Sequence, residues 1–157
     1  LNSPCYIRIG KKGEPDICSI DETPNIGDLY HLKKGKRICI LSVGTMAMEA
    51  IKTYNSLEIE NITVGVALCH TVKPFPQDAI KNLCASYEKI VVIEEHSLIG
   101  GFGSTLVNFV NKNNIQTKIY CYGTSDYFLS NIGTQNFARK QYKIECDSLI
   151  TGIKNIL

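Results

Sequence analysis

The sequence lacks a long apolar run, a Cys-x-x-Cys pair and any appreciable net charge, and each absence removes a class of protein. No stretch approaches the ~18 consecutive apolar residues of a membrane-spanning helix. The longest uncharged run, His96 to Asn111, is interrupted by Gly, Ser, Thr and Asn. No basic start followed by an apolar core marks a signal peptide, and Leu1 stands where a methionine would, so the chain reads as a piece of something longer. Seven cysteines are an odd number and lie scattered, which points away from a zinc site or a redox dithiol. A net charge of +2 argues against nucleic acid as a partner, because phosphate binding needs a dense basic face. Residues 1–37 hold seven Lys/Arg against five Asp/Glu, so the excess is N-terminal. The run Lys33-Lys34-Gly35-Lys36-Arg37 fits a solvated turn ahead of a strand. There is no internal repeat and no low-complexity tract.

What is present describes an ordinary globular core. With 157 residues, 44% of them hydrophobic and 20% charged, the chain has the size to bury one and too little charge for disorder. Several of the cysteines fall within apolar patterns, so reduced, buried thiols in a cytoplasmic protein are expected. From Lys36 onward, strand and helix patterns alternate. Arg37–Val43 is a β-branched run stopped by Gly44, and Thr45 is placed to cap a helix with Ala47, Ala50, Ile51, Tyr54 and Leu57 on its buried face. Glu49, Lys52 and Asn55 fall on the opposite face of that helix. Ile62–Leu68 reads as a strand, followed by a helix from Pro76 to about Tyr87. Lys89–Glu94 is the clearest buried strand, and a helix over 104–113 follows the Gly100-Gly101-Phe102-Gly103 turn. Thr117–Tyr122 is a further strand, and two short helices close the chain, the last with Cys146, Leu149, Ile150, Ile153 and Ile156 on one side. Apolar strands separated by helices predict an α/β fold, a three-layer α/β/α sandwich around a mostly parallel sheet of about five strands. Residues 1–35, with Pro4, Pro15 and Pro24 and no helical period, fit a trailing strand and linker instead.

In such sheets ligands gather at the carboxyl ends of the strands. Three ends stand out: Gly44-Thr45, Glu94-Glu95-His96 and Gly123-Thr124-Ser125-Asp126. The turn at 100–103 opens a helix and could cradle an anion, yet it fails as a dinucleotide fingerprint, because Leu106 occupies the third glycine position. No Lys-Ser/Thr pair makes it a phosphate loop, so a tight glycine-permitted turn is the simpler reading. Glu94, Glu95 and His96 could together do general acid–base work if desolvated. Neighbours on a strand point to opposite faces, however, which would leave them to contact loop backbone or an adjoining surface. His31 and His70 have no metal-ligand spacing. Composition and periodicity thus give a fold and candidate strand ends, but no reaction.

The order of motifs adds more. Asp28–Ala50, with its Gly-Lys-Arg lead, first strand and Gly44-Thr45-Met46 turn, resembles the opening of the transketolase C-terminal domain. Lys73-Pro74-Phe75-Pro76-Gln77-Asp78 resembles that domain's Lys/Arg-Pro-hydrophobic-x-Asp segment. Glu94-Glu95-His96 followed by Gly100-Gly101-Phe102-Gly103-Ser104 resembles its Glu-Glu-His/Asn and Gly-Gly-x-Gly-Ser signature, and Gly123–Phe128 its Gly-x-x-Asp-x-Phe turn. Pro4–Gly13 resembles the last strand of the preceding pyrimidine-binding domain in these thiamine-diphosphate enzymes. The family includes transketolase, deoxyxylulose-phosphate synthase and the E1 β subunits of 2-oxo acid dehydrogenases.

The resemblance implies a division at residue 35, with 1–35 left over from the pyrimidine-binding domain and 36–157 forming the C-terminal-like domain. It implies a two-carbon ketol transfer between sugar phosphates by the whole enzyme. Thiamine diphosphate and Mg2+ would be bound by domains outside these residues, so no catalytic residue and no metal ligand is carried over. Arg8 and Lys11 become candidates for binding the substrate phosphate. Glu94, Glu95 and His96 become candidates for an interface or the rim of the site. The implied partners are a second copy, or a subunit carrying the cofactor-binding domains, together with a sugar phosphate; nucleic acid and membrane are not expected. The synthase, an E1 β or oxidoreductase subunit, and a non-catalytic binding or assembly domain are the alternatives.

Overall fold

The computed structural model describes residues 4–10, 15–18 and 24–157. Its elements run β1 Tyr30–Lys33, β2 Ile38–Val43, α1 Ala47–Ile59, β3 Gly65–Cys69, α2 Gln77–Ser86, β4 Lys89–Ser97, α3 Phe102–Lys112, β5 Lys118–Thr124, α4 Gln135–Gln141 and α5 Cys146–Lys154. The strands form one sheet in the order β1-β3-β2-β4-β5. β2, β3, β4 and β5 are parallel, whereas β1 pairs antiparallel with β3 at one edge. The sheet is therefore five-stranded and mostly parallel, as the alternation of patterns predicts. Its fifth strand, β1, lies within the stretch expected to be linker. Four residues of alternating exposure suffice there, because an edge strand needs only one neighbour and one apolar face.

Both faces of the sheet are covered. Cys39, Leu41, Ala67, Ile90 and Val92 meet Ile80 and Leu83 of α2 and Phe102, Leu106 and Val110 of α3. Ile38, Ile40, Val66, Val91 and Ile93, from alternating positions, meet Ala50, Tyr54 and Leu57 of α1 and Leu149 and Ile153 of α5. Adjacent strand residues thus feed two separate cores, and this is why the central strands read as apolar throughout. Each fully buried Ile or Leu contributes roughly 1.5–3 kcal/mol of transfer free energy, so the two layers fix the sandwich.

Local departures from the sequence pattern have identifiable causes. α3 begins at Phe102, two residues before the expected start, because a side chain from β4 satisfies its first N–H groups. β4 continues past Glu94 to Ser97, where Ser97 pairs with Thr124 after an irregularity in register, and the Leu98 N–H donates to the Thr124 carbonyl. Thr45 does not cap α1; a short 3-10 turn over Gly44–Met46 leads into that helix, and the Thr45 hydroxyl reaches across to β4. Glu49, expected on the solvent face of α1, is buried. The cysteines divide: Cys39, Cys69 and Cys84 are buried as expected, whereas Cys5 and Cys18 are exposed. Burial pushes the Cys39 and Cys69 thiols up to about 12.

Candidate functional site

The strand order identifies one crevice. The chain leaves β2 through α1 to reach β3 on one side, and leaves β4 through α3 to reach β5 on the other. The carboxyl ends of β2 and β4 therefore flank the point where connections diverge, the usual ligand position in an open α/β sheet. Thr45 stands at the first end and Glu95 at the second, joined by a hydrogen bond of 2.7 Å from the Thr45 hydroxyl to Glu95 Oε2.

This crevice is filled by the chain itself. Arg139 of α4, almost fully buried, donates through Nε to Glu95 Oε1 at 2.8 Å. One terminal guanidinium nitrogen lies 3.6 Å from Glu49 Oε1, and the other donates to the Thr45 carbonyl at 3.5 Å. The Gln135 amide donates to both Glu95 oxygens, at 3.0 and 2.8 Å. Glu49 also accepts from Lys52 at 2.8 Å and from the Cys146 N–H, at the start of α5, at 2.9 Å. Burial alone would raise the Glu95 carboxyl. Hydrogen bonds from Arg139 and Thr45, the charge of Arg139 and the Gln135 amide outweigh it and hold the group below the ordinary 4.5. A carboxylate so held stays ionised at neutral pH and has no reason to take a proton. Chemically the cluster is a clasp that ties α1, α4 and α5 to the end of the sheet, rather than an acid–base pair.

Glu94, Glu95 and His96 part company; strand alternation separates Glu95 from its two neighbours, and the register is irregular between Ile93 and Ser97. Glu94 is 3% exposed and accepts from the backbone N–H groups of Phe102 and Gly103, each at 2.8 Å. A carboxylate at a helix N-terminus satisfies orphan donors and meets the positive end of the helix dipole. Glycine is needed beside it: a Cβ on Gly101 would lie 2.5 Å from the Ser97 carbonyl oxygen and 2.6 Å from Glu94 Oε1. His96 is exposed, with Nδ1 3.1 Å from the Ser97 carbonyl oxygen. His70 is exposed next to Thr71, and His31 is exposed on β1. Arg8 is exposed in a segment without secondary structure and makes no hydrogen bond or ion pair with the described residues; Lys11 lies outside the described residues.

The fit of a diphosphate cofactor can be judged from these contacts. The one glycine-rich helix start that the sequence offered as an anion cradle already holds Glu94, so a phosphate there would displace a buried, doubly bonded carboxylate. Among the described residues no group of three or more His, Cys, Asp or Glu is arranged to hold a metal ion. The open cleft beside α2 carries the carboxylates of Asp28 and Asp78, whose charge disfavours an anion, beside the neutral amides of Asn25 and Asn82 and the imidazole of His31. The described residues do not fit thiamine diphosphate. Sequence reasoning missed Arg139 and the burial of Glu49. Neither carries a local signal, because their partners lie 44 and 97 residues away along the chain.

Comparison with known proteins agrees with this fold. The family model described as "Transketolase, C-terminal domain" matches residues 27–141. A 1-deoxy-D-xylulose-5-phosphate synthase of Aquifex aeolicus is 27% identical over 84% of this chain and 21% of its own length. One of the subunits of an apulose-4-phosphate transketolase of Actinobacillus succinogenes is 25% identical over 94% of this chain and 47% of its own. A solved structure described as a split gene transketolase, an inactive beta4 tetramer, superposes with a TM-score of 0.81 at 24% identity, covering 91% of this chain and 46% of that one. The chain thus spans less than half the length of these relatives. Since the family model takes in every strand of the sheet and the Arg139 clasp, this chain belongs to the transketolase C-terminal domain family.

Proposed function

We propose that this chain is the C-terminal part of a transketolase-type enzyme that depends on thiamine diphosphate and Mg2+ and moves a two-carbon ketol unit between sugar phosphates. In this reading the α/β sandwich packs and assembles the enzyme, while other domains, on the same chain or on a partner chain, hold the cofactor. The observation that carries it is the filled crevice: Glu95, Arg139, Thr45 and Gln135 occupy the position where a ligand would sit. Pro4–Gly10 serves as the trailing strand of a pyrimidine-binding domain, which accounts for the exposure of Tyr6, Ile7 and Ile9 in a segment without strand partners. Arg8 on that segment, and Lys11 beyond it, bind the substrate phosphate across the domain boundary. Glu95 and His96 mark the edge that the chain turns toward its partner domains. The solved neighbour described as an inactive beta4 tetramer supports an isolated chain that is inactive and self-associates.

Titration calorimetry of the 157-residue chain with thiamine diphosphate and Mg2+ tests the division of labour. No heat of specific binding is expected, and a micromolar Kd would overturn it. A second reading has its own support, because several relatives of 27–37% identity are named 1-deoxy-D-xylulose-5-phosphate synthase. Assay of the intact enzyme separates the two. Transfer from a ketose phosphate supports the first, and consumption of a 2-oxo acid supports the synthase.

A further inference from the structure

Two loops leave the carboxyl ends of neighbouring strands β4 and β5, and both present large apolar side chains to solvent. In the first, Ile99 is 69% exposed, and Leu98 lies over Gly123, tied by its N–H to the Thr124 carbonyl. In the second, between β5 and α4, Phe128 and Ile132 are fully exposed. That second loop is anchored on either side of its apolar tips. The Tyr127 hydroxyl donates to the Gln141 carbonyl at 3.0 Å, the Tyr142 hydroxyl donates to the Tyr127 carbonyl at 2.9 Å, and the two rings pack tilted against each other with centroids 5.1 Å apart. Thr134 then caps α4. The tethers hold Phe128 and Ile132 away from the core. A loop so fixed, with its largest apolar groups outward, has the character of a preformed contact.

Resting on the reading under Proposed function, we propose that Leu98, Ile99, Phe128 and Ile132 form the docking surface for the cofactor-bearing part of the same enzyme, which receives them in an apolar, uncharged pocket. Several observations favour this occupant. Asp126 is the only charged residue between Lys118 and Arg139, so the surface offers a single charge and little for a strongly acidic or basic partner to read. A second copy would have to accept the protruding Phe128 on the same patch, since a two-fold contact is self-complementary. Two open clefts lined by residues 24–31 and 75–82 both carry the Asp28 and Asp78 carboxylates, which suit an apolar side chain poorly. Finally, the transketolase relatives carry more polypeptide beyond the matched part than within it, and that polypeptide is available to cover a face of this domain.

Hydroxyl-radical footprinting with mass spectrometry tests the surface, comparing the free 157-residue chain with the intact enzyme. Oxidation of Phe128 should fall severalfold in the intact enzyme, while Ile59, exposed at the far end of α1, keeps its rate. Equal Phe128 rates in an intact enzyme that binds thiamine diphosphate overturn the docking surface alone. Protection of Phe128 that instead rises with the concentration of the free chain identifies a second copy and also overturns it. An intact protein that neither binds thiamine diphosphate nor transfers a ketol unit overturns the functional reading instead. As a second measurement, the double variant F128S/I132S should keep the Tm of the free chain, because both side chains are already in water. It should weaken assembly of the intact enzyme; wild-type assembly refutes the proposal.

Discussion

Replacing Arg139 with Met probes the clasp most directly. Methionine is unbranched and reaches about as far as Nε, so the substitution removes charge and five donors while keeping the space of the aliphatic stem filled. Glu95, with 17% of its side chain exposed, and Glu49, with 5%, would then be buried carboxylates short of their shared cation. Breaking one partner out of a buried pair costs about 3–5 kcal/mol. The lower end applies, because Thr45 and Gln135 still bond Glu95 and Lys52 still pairs with Glu49. A loss of about 3 kcal/mol at pH 7 lowers Tm by roughly 6–12 °C in a domain of this size. The pH dependence carries the sharper signature. In the native chain the Glu95 carboxyl is depressed below 4.5, so its stabilisation is complete above that value and lost as pH falls through the folded value. Without Arg139 both of its lowering contributions are lost while burial remains, so the same carboxyl rises from its native position and the variant loses less stability on acidification. The gap between the two proteins should narrow as pH is lowered from 7 into the acid range where Glu95 takes its proton. Urea denaturation followed by circular dichroism at several pH values measures it. A loss below about 1 kcal/mol, or a gap independent of pH, would refute a buried, cation-dependent clasp.

Other sites give independent tests. E94A strands the Phe102 and Gly103 N–H groups at the start of α3 and should cost about 2–4 kcal/mol, with E94Q near half of that; faster exchange of those two amides identifies the cause. T134A removes the hydroxyl that accepts from the Phe137 N–H at 3.2 Å, for a loss of about 1 kcal/mol by urea titration. With an aromatic disulfide reagent at pH 8, Cys5 and Cys18 should react first. Cys39 and Cys69, with thiols pushed up to about 12, should react only on unfolding.

Much of the fold is legible in the sequence because burial is non-directional and periodic. Ala47, Ala50, Tyr54 and Leu57, or Phe102, Leu106 and Val110, lie on one side of a helix whatever they meet, so their spacing announces the core before any partner is known. The unbroken runs in β2 and β4 likewise require cover on both faces. β1 escaped that reading, since four residues of weak alternation at an edge carry little pattern.

The polar sites were legible only as residue types at strand ends. Glu94, Glu95 and His96 stand side by side in sequence, yet Glu94 meets the start of α3, Glu95 meets Arg139 and His96 faces solvent. A hydrogen bond or ion pair is directional and short-ranged, so its partner is fixed by where the folded chain passes and not by sequence spacing. The sequence by itself determined the layered α/β architecture and its two apolar cores. Only the tertiary structure decided that the crevice between β2 and β4 is closed by Arg139, that Glu49 is buried beside it, and that Phe128 is left facing water.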